Sequence, residues 1–245
     1  MPSVPPVGAI WVYLAATPLF GLTLTLGAYL IAQWLHARCR MSPLANPVAI
    51  AIALVAAVLL ISGLSYERYF AGAQFVHFLL GPATVALAIP LAGQMPTLRK
   101  AIIPLSCGLL AGSAGAIISA VAIVRLWGGS VSLAVSAAPK SSTTPIAMAV
   151  AQRLHGIPAL TAILVIGTGI FGAISARLLF DAMGIRSHQV RGFALGVASH
   201  GIGTARAFQV SAEMGAFSGL GMGLNGVLTA LLAPSLVPFV VRLLG

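Results

Sequence analysis

The stretch Pro139-Lys140-Ser141-Ser142-Thr143-Thr144-Pro145 places a lysine and four hydroxyl side chains inside a long apolar part of the sequence. A proline removes a backbone donor and crowds the preceding turn, so its two prolines predict a broken helix. Thr144 and Pro145 are favourable as the N-cap and the first residue of the helix that resumes there. The reason for so polar a break is the central question that the sequence raises.

The composition around this stretch is typical of an integral membrane protein. The chain has 245 residues, 59% apolar and 7% charged, with a mean hydropathy of +1.05, whereas soluble domains carry about 25% charged residues. Several uncharged runs approach the roughly 20 residues that cross a bilayer core of about 30 Å. Backbone amides in lipid must be satisfied internally, and these apolar runs do not alternate, so we expect helices embedded in the lipid bilayer.

The pattern predicts an all-α polytopic bundle of about seven or eight segments in a single domain, residues 1–245, that begins with an extended segment, residues 1–16. Broken segments are expected near 81–82, 139–145 and 199–206. A shift of 57 residues superimposes Gly112 on Gly169, which suggests an internal repeat, and duplicated broken helices indicate a transporter site near the membrane midplane. The expected segments lie at about 17–35, 43–64, 73–94, 101–126, 130–153, 158–180, 192–211 and 216–244.

The distribution of basic residues leaves the topology open. Those that follow the first and third segments agree on a cytoplasmic side (Arg38, Arg40, Arg99 and Lys100). Eight full spans would then place Arg186 and Arg191 outside, against the positive-inside rule. A re-entrant fifth segment would bring both arginines inside, and the sequence does not decide between these arrangements.

The charge balance restricts the chemistry. The net charge is +10, from 13 basic residues and three acids. The basic residues lie mostly at the ends of apolar runs, where they indicate topology and headgroup contacts rather than nucleic-acid binding. The three acids cannot form a catalytic carboxylate pair in one site, and the cysteine and histidine spacings fit no metal template. We therefore expect no enzyme, no catalytic residue, no metal and no cofactor.

Lys140 is the first candidate binding residue. It lies about ten residues into its segment, where a cation costs about 2.5–3.5 kcal/mol on insertion scales. It could meet backbone carbonyls of the broken helix or reach the interface. The alternative is an anion site, in which Lys140, the free N–H groups of the following helix and nearby hydroxyls hold a small carboxylate (Ser141, Ser142, Thr143 and Thr144).

The second polar run, residues 199–206, has the same character. Ser199, Gly203 and Arg206 share a helical face, and His200 and Thr204 lie beside it. Arg206 can hold a carboxylate with two parallel hydrogen bonds, or it can pair with Glu213. His200 is either a proton carrier or a helix contact. Asn225 on the last segment is a further candidate, which could equally bond a neighbouring helix.

These runs resemble the LrgB/CidB family. The resemblance rests on residues 78–88 (FLLGPATVALA), 139–147 (PKSSTTPIA), 156–161 (GIPALT) and 200–207 (HGIGTARA), and it extends over most of the chain from Pro18 onward. It implies a multi-pass protein of the bacterial plasma (inner) membrane. The bacterial family was named as holin- or antiholin-like, acting with a small LrgA/CidA-type membrane partner on murein hydrolase activity and lysis.

The resemblance also implies transport. Plastid relatives carry glycolate and glycerate, and bacterial relatives have been connected with pyruvate. It points to Lys140–Thr144, His200, Thr204 and Arg206 as binding residues, with Thr84 on the break near 81–82. We therefore expect a secondary carrier of small 2-hydroxy or 2-oxo monocarboxylates, with the coupling ion left open between H+ and Na+. The alternative is a holin-like regulator that works through oligomerisation with the small partner subunit, with glycines of the last segment as the candidate interface (Gly215, Gly219 and Gly223). A homo-oligomer is expected as well.

Overall fold

A computed structural model describes residues 18–244, apart from the side chains of Pro18, Leu80 and Thr84, so the expected extended segment at 1–16 lies outside the described residues. Every regular element from 18 to 244 is a helix, which confirms the all-α prediction. The helices are α1 Pro18–Arg38, α2 Pro47–Ser62, α3 Tyr66–Phe78, α4 Leu80–Ala86, α5 Ala88–Ala92, α6 Met95–Lys100, α7 Ile102–Leu126, α8 Val131–Ala137, α9 Thr144–Arg153, α10 Pro158–Ala182, α11 His188–Val210 and α12 Ala212–Leu243.

The helices include stretches long enough to cross a membrane. Within the described residues, five are long and apolar enough by length and composition: Leu19–Arg38, Tyr66–Ala92, Ile102–Leu126, Pro158–Ala182 and Ala212–Leu243. The protein is therefore a multi-pass membrane protein with a helical bundle.

The chain divides into two compact units, residues 1–86 and 87–245. In the described part of the first unit, α1 packs against α2 and α3. The hydroxyl groups of Thr25 and Tyr69 lie 2.8 Å apart between α1 and α3. Helix α3 ends at Phe78 and α4 begins at Leu80, so the interruption expected near 81–82 falls at Leu79. Thr84 belongs to α4, but its side chain is outside the part that the structure describes.

The second unit is built around α12. Helix α7 runs parallel to it, because Ser113 contacts Asn225 and Val121 shares a cluster with Val237 further along. Helix α10 runs in the opposite direction, because Phe180 near its end packs with Met214 at the start of α12.

Helix α11 is a hairpin rather than a straight span. A straight helix of this length would separate His188 from Ser211 by about 35 Å, yet His188 Nδ1 lies 3.2 Å from Ser211 Oγ. The backbone leaves the helical region at Ser199 and His200, where the second leg turns back. We call His188–Val210 hairpin 2.

Helices α8 and α9 form a second folded-back pair, which we call hairpin 1 (Val131–Arg153). After α9, the backbone N–H of Ile157 donates to Ser136 Oγ on α8 at 2.7 Å. Val150 of α9 lies in the same apolar cluster as Val135 of α8. This segment is therefore re-entrant, which was the alternative that the charge distribution left open.

The two hairpins enter the unit from opposite ends. Gly192, in the first leg of hairpin 2, lies against the backbone of Met214 near the start of α12. Val135 of hairpin 1 clusters with Val237 near the end of α12. The pair α7 and hairpin 1 thus repeats as α10 and hairpin 2 in the opposite orientation. The N-caps of α8 and α11, Ser130 and Ser187, are 57 residues apart, as the predicted repeat requires.

Candidate functional site at the hairpin tips

Asn225 joins the tips of both hairpins. Its Nδ2 donates to the backbone oxygen of Ser141 in hairpin 1 and to that of Val197 in hairpin 2, each at 3.0 Å. Its Oδ1 accepts from Ser113 Oγ on α7 at 2.5 Å and from Thr229 Oγ1 at 3.4 Å. The side chain is 1% exposed. Asn225 was predicted as a substrate ligand or a helix contact; its bonds are those of a bridge between the tips.

The bridge lies near the middle of α12. Asn225 is 13 residues beyond Ala212 in a helix of 32 residues, which corresponds to about 20 Å along a helix of about 48 Å. Because α12 is long enough to span the membrane, both tips lie deep between its ends. Irregular backbone at such depth is tolerated where protein or a polar cavity surrounds it.

The tip of hairpin 2 is strained and firmly held. His200 has φ 42° and ψ −134°, a conformation that costs a non-glycine residue about 1–3 kcal/mol. Its Nε2 lies 2.9 Å from the backbone oxygen of Val165 on α10. A Cβ on Gly169 would come within 2.7 Å of the imidazole, so only glycine fits beneath the ring. The fold thus fixes the orientation of this buried histidine.

The second leg of hairpin 2 carries two more of the predicted residues. Thr204 Oγ1 donates to the backbone oxygen of His200 at 2.8 Å and lies 3.0 Å from Ser218 Oγ on α12. Gly203 lies against the first leg, where an added Cβ would come within 2.9 Å of the Leu195 oxygen. Thr204 therefore connects the second leg to the hairpin tip and to α12, and Gly203 allows the two legs of hairpin 2 to approach closely.

The tip of hairpin 1 holds Lys140 and the predicted hydroxyls. Lys140 is half-buried; its backbone N–H donates to the Ala137 oxygen at 3.2 Å, but its ammonium group has no hydrogen bond or ion pair with any residue from 18 to 244. Ser141 is buried, and Thr143 and Thr144 are partly buried at the start of α9. The N-cap is Thr143, one residue before the predicted Thr144, and its side chain makes no capping hydrogen bond. The first N–H groups of α9 therefore lack a side-chain cap.

Two buried hydroxyl groups, one at each tip, have no hydrogen-bond partner within the described range. They belong to Ser142 and Ser199, and each residue is 1% exposed. A buried polar group without a partner is destabilising, and such groups in a native structure call for an explanation.

Arg206 lies apart from the hairpin tips. It is six residues beyond His200, about 9 Å along the second leg towards the base of hairpin 2. Its Nη1 donates to Gln209 Oε1 at 3.0 Å. Glu213, its predicted alternative partner, instead accepts from Gln189 at 2.8 Å. Arg206 lines a cavity of about 310 Å³ together with residues from the end of α10.

The glycines predicted as an oligomer interface mostly pack inside this unit. A Cβ on Gly215 would collide with the ring of Phe208, and one on Gly219 would lie 3.4 Å from Leu87. Only Gly223 of the three has open space in front of it among the described residues. These three glycines therefore do not form a continuous surface for a second protein, because Gly215 and Gly219 contact other parts of the same unit.

Ser113 is a site residue that the sequence reasoning missed. It is one of three serines in the apolar helix α7, and it follows Gly112, which packs against Val197. The sequence signal that could have indicated a buried contact is that Ser113 directly follows Gly112, a glycine of the Gly-x-x-x-Gly spacing that allows close helix packing.

These features define a polytopic helical membrane protein in which two opposed re-entrant hairpins meet at a buried polar centre. The chain belongs to the LrgB-like family, whose model matches residues 25–239. It is 36% identical to the Bacillus subtilis protein YxaC over 216 residues, 88% of this chain and 94% of that protein. No solved structure matches the chain.

Other relatives carry holin-related names. The holin-like protein CidB of Staphylococcus epidermidis is 32% identical over 225 residues, which cover 92% of this chain and 97% of that protein. The antiholin-like protein LrgB of Bacillus cereus is 28% identical over 224 residues, 91% and 97% of the two chains.

Proposed function

We propose that the protein is a secondary carrier of small monocarboxylates of the 2-hydroxy or 2-oxo acid type, such as glycolate, glycerate or pyruvate. The observation that carries this proposal is the meeting of two opposed, polar hairpin tips in the middle of α12. At one of these tips, the ammonium group of Lys140 has no hydrogen-bond or ion-pair partner within residues 18–244. Broken helices that meet near the midplane are typical of substrate sites in secondary transporters.

The chemistry of the tips suits a small anion. Lys140 supplies a positive charge, and the uncapped start of α9 supplies backbone N–H groups at the positive end of a helix dipole. Ser142 and Ser199 supply hydroxyl groups that have no hydrogen-bond partner among residues 18–244. A 2-hydroxy or 2-oxo acid offers a carboxylate for the cation and N–H groups and a second oxygen for a hydroxyl.

Transport needs the site to open alternately to the two sides. The hairpins enter from opposite ends, so withdrawal of one tip from Asn225 would open the centre to one side while the other tip stays closed. The imidazole of His200, buried beside this centre, is the candidate for coupling a proton, and Na+ is the alternative coupling ion.

Uptake into proteoliposomes tests the proposal, and the chain offers a matched control because it contains two lysines. We expect Lys140→Gln to abolish saturable uptake of labelled glycolate or pyruvate. Lys100→Gln, which alters an exposed lysine at the end of α6, is expected to leave uptake unchanged. Equal uptake by the two variants would remove Lys140 from the site.

The second candidate is a holin- or antiholin-like regulator that acts as a homo-oligomer with an LrgA/CidA-type partner in the bacterial inner membrane. The names of the relatives in Staphylococcus epidermidis and Bacillus cereus favour it over the carrier. Gly223 faces open space on α12 and is the position at which to test an interface. Under this candidate, Gly223→Leu disrupts co-purification with the partner and alters lysis, whereas Lys140→Gln has no effect on either.

A further inference from the structure

The second unit contains a charged cavity that is separate from the hairpin tips. Its volume is about 310 Å³. Its lining combines apolar residues with three arginines and one aspartate, namely Arg177, Arg191, Arg206 and Asp181. The formal charge of these four groups is +2.

The arginines are unequally satisfied. Arg191 donates from Nη2 to Asp181 Oδ1 at 2.5 Å and from Nε to the Ile185 oxygen at 2.6 Å, so it is structural. Arg177 Nε lies 3.7 Å from Asp181 Oδ2 on an exposed stretch of α10. The guanidinium group of Arg206 donates a hydrogen bond to the amide oxygen of Gln209, and it has no acidic partner within residues 18–244. The single carboxylate is therefore shared, and the charge of Arg206 is left unbalanced.

The position of the cavity places it at a membrane surface. Its lining residues come from the end of α10, the ends of hairpin 2 and the start of α12. Because α10 and α12 are long enough to cross the bilayer, this end lies at headgroup level. This end carries Arg99, Lys100, Arg177, Arg186 and Arg191, against Arg125, Arg153 and Arg242 at the opposite end, so the positive-inside rule favours a cytoplasmic position for it.

We propose that this cavity binds a phosphate group, held by Arg206 and Arg177 over the Arg191–Asp181 pair. A guanidinium group presents a planar fork that donates two parallel hydrogen bonds to a phosphate, and two such forks with a net charge of +2 match a phosphate better than a monocarboxylate. The phosphate can belong to a free anion or to a phospholipid headgroup. The site does not depend on the proposed transport, because it uses none of the residues at the hairpin tips.

Thermal unfolding of the full chain in uncharged detergent tests the proposal in two arms. One arm titrates inorganic phosphate without lipid; the other adds phosphatidylglycerol and compares it with phosphatidylcholine. We expect the Tm to rise in at least one arm. A response to inorganic phosphate assigns the site to a free anion, and a response to phosphatidylglycerol alone assigns it to a lipid headgroup.

Variants decide whether the cavity is responsible. Arg206→Gln and Arg177→Gln each remove one fork, and each should weaken the apparent affinity at least about tenfold, since a hydrogen bond to a charged group contributes about 1.5–3 kcal/mol. Arg153→Gln, at an exposed arginine at the end of α9, should retain the wild-type affinity. A flat Tm in both arms, or the same affinity in Arg206→Gln as in wild type, would overturn the proposal.

Discussion

Removal of the Asn225 side chain should be one of the most damaging single substitutions in this protein. Asn225→Ala deletes the hydrogen bonds to Ser141, Val197 and Ser113, which join α12 to both hairpins and to α7. Hydrogen bonds between membrane helices average about 0.6 kcal/mol and reach about 1.7 kcal/mol. Loss of three such bonds should therefore lower the free energy of unfolding by about 2–5 kcal/mol.

Equilibrium unfolding in mixed micelles measures this difference. Thr229→Ala is the matched control, because Thr229 lies one turn away and shares only a 3.4 Å contact with Asn225; we expect it to cost less than about 1 kcal/mol. Asn225→Asp keeps the acceptor for Ser113 but sets a carboxylate against two backbone oxygens, so it should destabilise at least as much as alanine. If Asn225→Ala and Thr229→Ala were equally mild, the bridge between the tips would not exist as described.

Three further predictions follow from the packing and charge of the second unit. Gly196→Ala should prevent stable folding in detergent, because the added Cβ would collide with the backbone of α12 at Ser218. Gel filtration measures this as the loss of a monodisperse peak, whereas Gly223→Ala, where no described atom lies within 4 Å of the added Cβ, should elute as wild type. Normal elution of Gly196→Ala would contradict this packing. His200→Gly should be more stable to unfolding than His200→Ala by about 1 kcal/mol or more, because glycine adopts φ 42° without strain, and the reverse order would refute the strain. In a background without the two native cysteines, a cysteine at Arg186 should be labelled from the cytoplasmic side and one at Arg153 from the outside, and labelling of both from one side would exclude two opposed re-entrant hairpins.

The sequence was sufficient to predict the helical membrane fold, the approximate segments and the polar breaks at 139–145 and 199–206. Each of these depends on local composition, because an apolar segment in lipid must satisfy its own backbone hydrogen bonds as a helix, and proline, glycine and polar residues interrupt that helix. The N-cap shift from Thr144 to Thr143 shows the limit of such local signals, because both residues are suitable caps and the surrounding fold selects between them.

The direction of the chain after each break could not be predicted. Glycine, proline and polar residues indicate that a helix stops, but contacts distant in sequence decide whether the chain continues or turns back. In hairpin 2 these are the contacts of His188 with Ser211 and of Gly192 with Met214. The 57-residue shift contained related information, since it pairs α7 and hairpin 1 with α10 and hairpin 2.

Proximity in sequence and neighbouring helical faces predict that Arg206 lies in the same site as His200. In the structure, the turn at Ser199 and His200 directs the second leg towards the base of the hairpin, and Arg206 faces the cavity beside Arg177. Helical spacing predicts which residues share a face, but it does not identify the element that this face meets.

Ligand-dependent stability of the purified protein tests most directly whether the hairpin tips bind a small carboxylate. The panel is glycolate, glycerate, lactate, pyruvate and acetate, each measured on wild type, Lys140→Ala and Lys100→Ala. A ligand at ten times its Kd stabilises the folded protein by about 1.4 kcal/mol. We predict that at least one 2-hydroxy or 2-oxo acid raises the Tm of wild type and of Lys100→Ala but not of Lys140→Ala. An unchanged Tm across the whole panel, or a rise that persists in Lys140→Ala, would contradict a carboxylate site at the tips.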